Sequence, residues 1–129
     1  MKDHISFTTT LFDSGDLQVP QERQVAGEDL ARWLINKTRG DEFVFGEPFE
    51  NKGIWSEAVS AEGEKFELGF ELTPTSAGAD YAEWTIKIDQ ARKWSMFRQK
   101  DSQVRGRLCD LIHNVLRDER EIREVQWSD

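Results

Sequence analysis

Cys109 and His113 stand four residues apart in the last third of the chain, a spacing that puts them on neighbouring turns of one helix face. A thiolate beside an imidazole is chemistry for metal binding or nucleophilic attack. Two ligands do not close a zinc site, however, and the remaining histidine, His4, lies at the other end of the sequence. The same pair also flanks an apolar helical stripe, where a small hydrophobe and a boundary imidazole are ordinary. With 25 acidic residues in 129, adjacent carboxylates such as Glu28/Asp29 and Asp118/Glu119 arise by chance. No such pair is framed for acid–base work. The sequence has no glycine-rich phosphate loop, no Gly-x-Ser-x-Gly elbow and no His-Glu-x-x-His. No catalytic residue, metal site or cofactor is therefore expected, and the reading leans away from an enzyme.

A second cluster is electrostatic. The formal net charge is −8, distributed as −5 over residues 1–60, −5 over 61–90 and +2 over 91–129. Between Arg92 and Arg107 six basic residues (Arg92, Lys93, Arg98, Lys100, Arg105 and Arg107) are opposed only by Asp101. Trp94 and Phe97 are interleaved with them, the mixture that docking an acidic partner or stacking on a base uses. Arg92, Lys93, Trp94, Phe97, Arg98 and Lys100 are accordingly the candidate partner- or anion-binding residues. The bland alternative tucks the two aromatics under the sheet edge and leaves the charges solvated. An overall charge of −8 argues against general nucleic-acid binding, which needs clustered cations to neutralise phosphate.

The other tryptophans read as packing. Trp33, Trp84 and Trp127 fall on predicted apolar faces. Trp55 shares its face with Glu57 and Val59, out of phase with Ile54, so its burial is less clear-cut.

The elements that must position these residues follow from periodicity. Ile5, Phe7, Thr9 and Leu11 alternate with polar residues as in a half-buried strand, which Asp13-Ser14-Gly15-Asp16 ends. Residues 17–26 read as a polar connector with helical character from Pro20. A helix is predicted from Gly27 to Arg39, with Leu30, Trp33, Leu34 and Thr38 on one face. Glu28 and Asp29 in its first turn and Lys37 and Arg39 in its last suit the helix dipole. Phe43–Phe45 is a short extended stretch, and 54–60 a strand that turns at Glu62-Gly63. Phe66, Leu68, Phe70 and Leu72 then alternate with Lys65, Glu67, Gly69 and Glu71, the clearest strand pattern in the chain. After a loop at 74–80, Ala82, Trp84, Ile86 and Ile88 form the inner face of a strand over 81–89. Residues 90–101 read as a basic, irregular connector. A helix over 102–118 carries the stripe Val104, Leu108, Leu111, Ile112 and Val115, and Arg123, Val125 and Trp127 make a closing strand.

The order is β-α-β-β-β-β-α-β. Two amphipathic helices need one sheet face to cover, so an α+β two-layer sandwich is expected: a mainly antiparallel sheet with both helices on one face. Right-handed crossovers would bring the first and last strands beside the meander. At 129 residues the chain is sized for a single domain, residues 1–129, able to bury roughly two-thirds of its surface. A single cysteine precludes an internal disulfide, and no apolar run reaches the ~20 residues of a membrane span. Without a signal-peptide core behind Met1, a cytoplasmic location is expected.

Glu28-Asp29-Leu30-Ala31-Arg32-Trp33-Leu34, Gly46-Glu47-Pro48, Trp55, Ala82-Glu83-Trp84 and the closing Val125-Gln126-Trp127 together resemble a family of small bacterial proteins of unknown function. The resemblance implies bacterial origin and no functional residue. The function expected is a non-enzymatic interaction domain that binds a protein partner or self-associates, in an inhibitor-, immunity- or adaptor-like role. The alternative is a small-molecule or anion binder, catalysis included, using a cleft beside residues 92–107.

Overall fold

The computed structural model describes residues 3–11, 27–40, 42–73, 82–90 and 103–128. They form β1 (His4–Thr9), α1 (Glu28–Lys37), β2 (Val44–Phe45), β3 (Phe49–Asn51), β4 (Ile54–Ala61), β5 (Glu64–Thr73), β6 (Ala82–Gln90), α2 (Gln103–Arg117) and β7 (Ile122–Ser128). The expected α+β sandwich with both helices on one face is what they build, with one strand more than the sequence indicated. The expected connector at 17–26, the loop at 74–80 and the basic connector up to residue 101 lie outside the described residues.

The sheet order is β2-β4-β5-β6-β1-β7, with β3 also pairing to β4, and every neighbouring pair is antiparallel. Alternating directions along that order make β1 parallel to β2, and β6 parallel to β7. Each helix thus sits in a crossover between parallel, non-adjacent strands. One crossover moves in one direction from an upward strand, the other in the opposite direction from a downward strand. Equal hand in the two therefore lays both helices on the same face, and crossover handedness is nearly invariant. The first strand lies beside the meander against β6, as expected. The last lies one place further out, against β1.

Register aligns the inward residues in rows. Trp55, Phe70, Ile86, Ile5 and Trp127 face one another in succession across five strands, and Leu72, Trp84 and Phe7 form the next row. Leu30 and Leu34 from α1 and Leu108 and Ile112 from α2 close over these rows, all fully buried. Phe66, Leu68, Phe70, Trp84 and Ile86 are likewise buried as predicted, whereas Leu72 is only partly so. The opposite sheet face carries Lys65, Glu67 and Lys87 in the open, the wet side of a one-sided antiparallel sheet.

Leu11, expected as the last inward residue of the first strand, is instead exposed. Thr9 ends β1 because its hydroxyl donates to the Glu121 carbonyl at 2.7 Å and accepts from the Leu11 amide at 3.1 Å. Two tight hairpins frame β4. Lys52-Gly53 and Glu62-Gly63 all have positive φ, the requirement of the two-residue turn whose twist matches the strands. Gly27, at φ 134°, starts α1 so close to the sheet that a Cβ there would stand 3.1 Å from the Trp55 Cβ.

The edge strand is broken. Phe45 pairs with Val59 and Phe49 with Ser56, so three residues, Gly46-Glu47-Pro48, stand opposite only two, Glu57 and Ala58. That is a β-bulge, with the Gly46 amide still donating to the Ala58 carbonyl at 2.8 Å. The short β3 beyond it was not read from the sequence. The other edge, β7, has its own register shift against β1 between Ser6 and Thr8, beside Glu124 at φ 56°. Bulges at both edges are a device that discourages edge-to-edge pairing.

Candidate functional site

The six candidate binding residues, Arg92, Lys93, Trp94, Phe97, Arg98 and Lys100, lie outside the described residues. The places where their segment leaves and rejoins the fold are described. It departs from the end of β6, where Gln90 pairs with Phe66, and rejoins at Gln103, the first residue of α2. Beside these points stands the β4–β5 turn at Glu62-Gly63.

The two flanking cations of the expected charge cluster have other employment. Arg107 is held by two glutamates, its Nε and Nη2 donating to Glu42 at 3.0 and 3.1 Å, and it also binds Glu62. Those bonds, Glu42 first, raise the pKa of a guanidinium that is always charged in any case. Arg105 is buried at 9 % exposure, with Nη2 donating to the Ile88 carbonyl at 3.4 Å and Nη1 directed at the Cys109 sulfur at 3.8 Å. The idea that Asp101 alone opposes the six cations is thus corrected at Arg107, which two glutamates from distant parts of the sequence engage.

Cys109 and His113 do project from one side of α2, and each is turned to a different neighbour. Cys109 meets Arg105. The His113 Nδ1 accepts a hydrogen bond from the Trp127 Nε1 at 2.9 Å, and the two rings lie within 9° of parallel. A neutral His113 in this bond carries its proton on Nε2. The ring is held to β7 as a structural link between helix and sheet rather than presented to the thiol. Among the described residues no group of three or more His, Cys, Asp or Glu side chains could hold a metal ion. The adjacent acid pairs are also engaged structurally. Glu28 binds Arg32 at 3.0 Å, Asp29 accepts from the Leu30 amide at 2.9 Å, Asp118 meets Arg117 at 3.4 Å, and Glu119 lies 3.9 Å from Lys37.

One group escaped the search for chemistry in the sequence. Glu57 is 0 % exposed, and neither carboxyl oxygen has a hydrogen-bond partner among the described residues. It stands on the core face of β4 directly opposite Leu68, between Trp55 and Val59 and diagonal to Phe66 and Phe70. With water excluded and no partner, burial pushes its pKa from 4.5 up to about 8, so the side chain is a neutral carboxylic acid at pH 7. Its signal was present in the sequence as a glutamate in phase with Trp55 and Val59, but it was read as a mark against the burial of Trp55. In fact Trp55 is half-buried beneath Gly27, and Glu57 is deeper than the tryptophan.

No family model, curated protein or solved structure matches the chain. Among the described residues no helix is long and apolar enough to cross a membrane.

Proposed function

We propose that this chain is a non-enzymatic interaction domain of the bacterial cytoplasm, binding an acidic protein surface or a second copy of itself through the connector that carries Arg92, Lys93, Arg98 and Lys100. The observation that supports this reading is the arrangement at the connector's anchor points. Arg107, just inside the start of α2, takes up Glu42 and Glu62, while the sequence places no acid other than Asp101 beside Arg92, Lys93, Arg98 and Lys100. A local positive field on a protein of net charge −8 orients encounters and speeds association. Trp94 and Phe97 would supply the apolar anchor that charge alone lacks. The alternative, a small-molecule or anion site beside residues 92–107, draws less support because Arg105 and Arg107 are committed to internal contacts.

The test is a combined Lys93→Glu, Arg98→Glu, Lys100→Glu variant. Its melting temperature should match that of the parent, while partner recovery or self-association is lost. In the parent, the same binding should weaken with rising salt, since exposed charges are screened beyond about 8 Å at physiological ionic strength. A variant that recovers the parent's partners at low salt would show the connector to be a solvated loop.

A further inference from the structure

Beyond the connector, and independent of it, the most unusual arrangement in the molecule is the buried edge around Glu57. Native structures rarely leave a fully buried polar side chain without a partner, and each such case calls for a cause. Here the cause is written in the surroundings. On one side Glu57 faces β5, whose inward residues Phe66, Leu68 and Phe70 are apolar, while Lys65, Glu67 and Glu71 belong to the opposite face. Above it, α1 turns Leu30, Ala31 and Leu34 to the core and keeps Glu28, Asp29, Arg32 and Lys37 outward. From α2 the buried charge is Arg105, which is committed to Ile88 and Cys109. On the remaining side is the Gly46–Pro48 bulge, where the ladder is interrupted opposite Glu57 itself.

That bulge is tied to α1 on the outside. Arg32 bridges Glu28 on its own helix and Glu47 in the bulge, at 3.0 and 3.3 Å, with Arg32 and Glu28 half-exposed and Glu47 largely in solvent. The helix, the broken edge and β4 therefore form a seam with exposed charges outside and an unpartnered carboxyl inside. We propose that Glu57 makes this seam a proton-operated latch, closed while the carboxyl is neutral and loosened when it ionises. Among the described residues, a carboxylate in this position has no ion-pair partner and no hydrogen-bond donor to meet. Water is the nearest remedy, and it enters where the edge ladder is already broken. The outward ion pairs through Arg32 are too exposed to hold the seam shut against it.

The direction of the pH response follows from where the proton is held. The closed seam keeps the proton up to about pH 8, and the opened one releases it near 4.5. Opening is then hardest below pH 4.5, eases about tenfold for each pH unit up to about 8, and levels off above that. Native-state hydrogen exchange between pH 5 and 8, corrected for intrinsic rates, reads this directly. The expected result is a loss of protection of about tenfold per pH unit in α1, β2, β3 and β4 that low urea does not change, while β1, β7 and α2 stay better protected and exchange only through global, urea-sensitive unfolding. Glu57→Gln and Glu57→Leu should both abolish the dependence, and Cys109→Ser should leave it intact, which separates Glu57 from a thiol that ordinarily titrates near 8.5. Independently of any variant, carbon-13 titration of the Glu57 carboxyl should give a midpoint near 8. A midpoint in the ordinary glutamate range would overturn the proposal. So would protection that is flat with pH, or that has the same level and the same urea dependence in every element.

Discussion

Glu57 and Arg105 intrude on the same hydrophobic layer, and on the same cross-strand row. Glu57 stands opposite Leu68, Leu68 opposite Ile88, and Arg105 bonds the carbonyl of Ile88. One is an acid near the broken edge of the sheet and the other a base on α2. Arg105 has a long arm and several donors, and it finds a backbone carbonyl and a sulfur within reach. Glu57 is shorter and fixed on a strand, and among the described residues its carboxyl oxygens find no hydrogen-bond partner. The contrast shows that the cost of a buried polar group is set by what it meets rather than by its charge. A paired group ties two layers together, whereas an unpaired one weakens the layer it interrupts.

The largest expected effect removes the unpaired member. Glu57→Leu should stabilise the protein most at pH 8, with a pH-dependent part of roughly 3–5 kcal/mol that fades to nothing by pH 4. The reason is that the folded parent keeps a proton which its unfolded chain gives up near 4.5, so the parent loses stability from 4.5 up to about 8. Urea unfolding at pH 4, 6 and 8 checks this, and parallel stability curves for the two proteins would erase the contrast. The paired member should behave oppositely. Arg105→Met leaves the Ile88 carbonyl without its guanidinium and should cost about 1–3 kcal/mol in the same series. A smaller effect is expected at the other link between α2 and the sheet. Trp127→Phe keeps the ring on His113 but deletes the donor to its Nδ1, for a loss of about 0.5–1.5 kcal/mol in thermal unfolding.

Much of the layout was legible because it is periodic. The alternation from Phe66 to Leu72 and from Ala82 to Ile88 and the stripe on α2 each fix a face, and faces combine into a two-layer sandwich. Strand neighbours were harder, since β1 pairs with β6 and β7 across most of the chain, and no local pattern records so distant a partner. The short β3 escaped because three exposed residues after a proline carry no alternation, and only the ladder with β4 makes them a strand. The chemistry was less legible than the fold. Spacing placed Cys109 and His113 on one helix side, but their neighbours Arg105 and Trp127 were decided by packing. Arg107 found its glutamates 65 and 45 positions away. Glu57 lay in plain view, but its consequence depends on the absence of a partner, which one strand's pattern cannot disclose.

The position of β1 has a bearing on how the chain acquires its shape. Its partners, β6 and β7, both come late, while β2 to β5 pair only with one another or, in the case of β5, with β6 as well. A polypeptide emerging from the ribosome would assemble the β4–β5 hairpin early and hold its first strand idle until residues near 90 were available. Ile5 and Phe7 would spend that interval in water, with β-branched and aromatic neighbours ready to pair with any open edge. Closing contacts between residues more than a hundred positions apart also carries a large loop-closure entropy, so the interior position of β1 between β6 and β7 points to slow folding. β1 is thus made well before either of its neighbours, and β7 can dock only once β1 is in place.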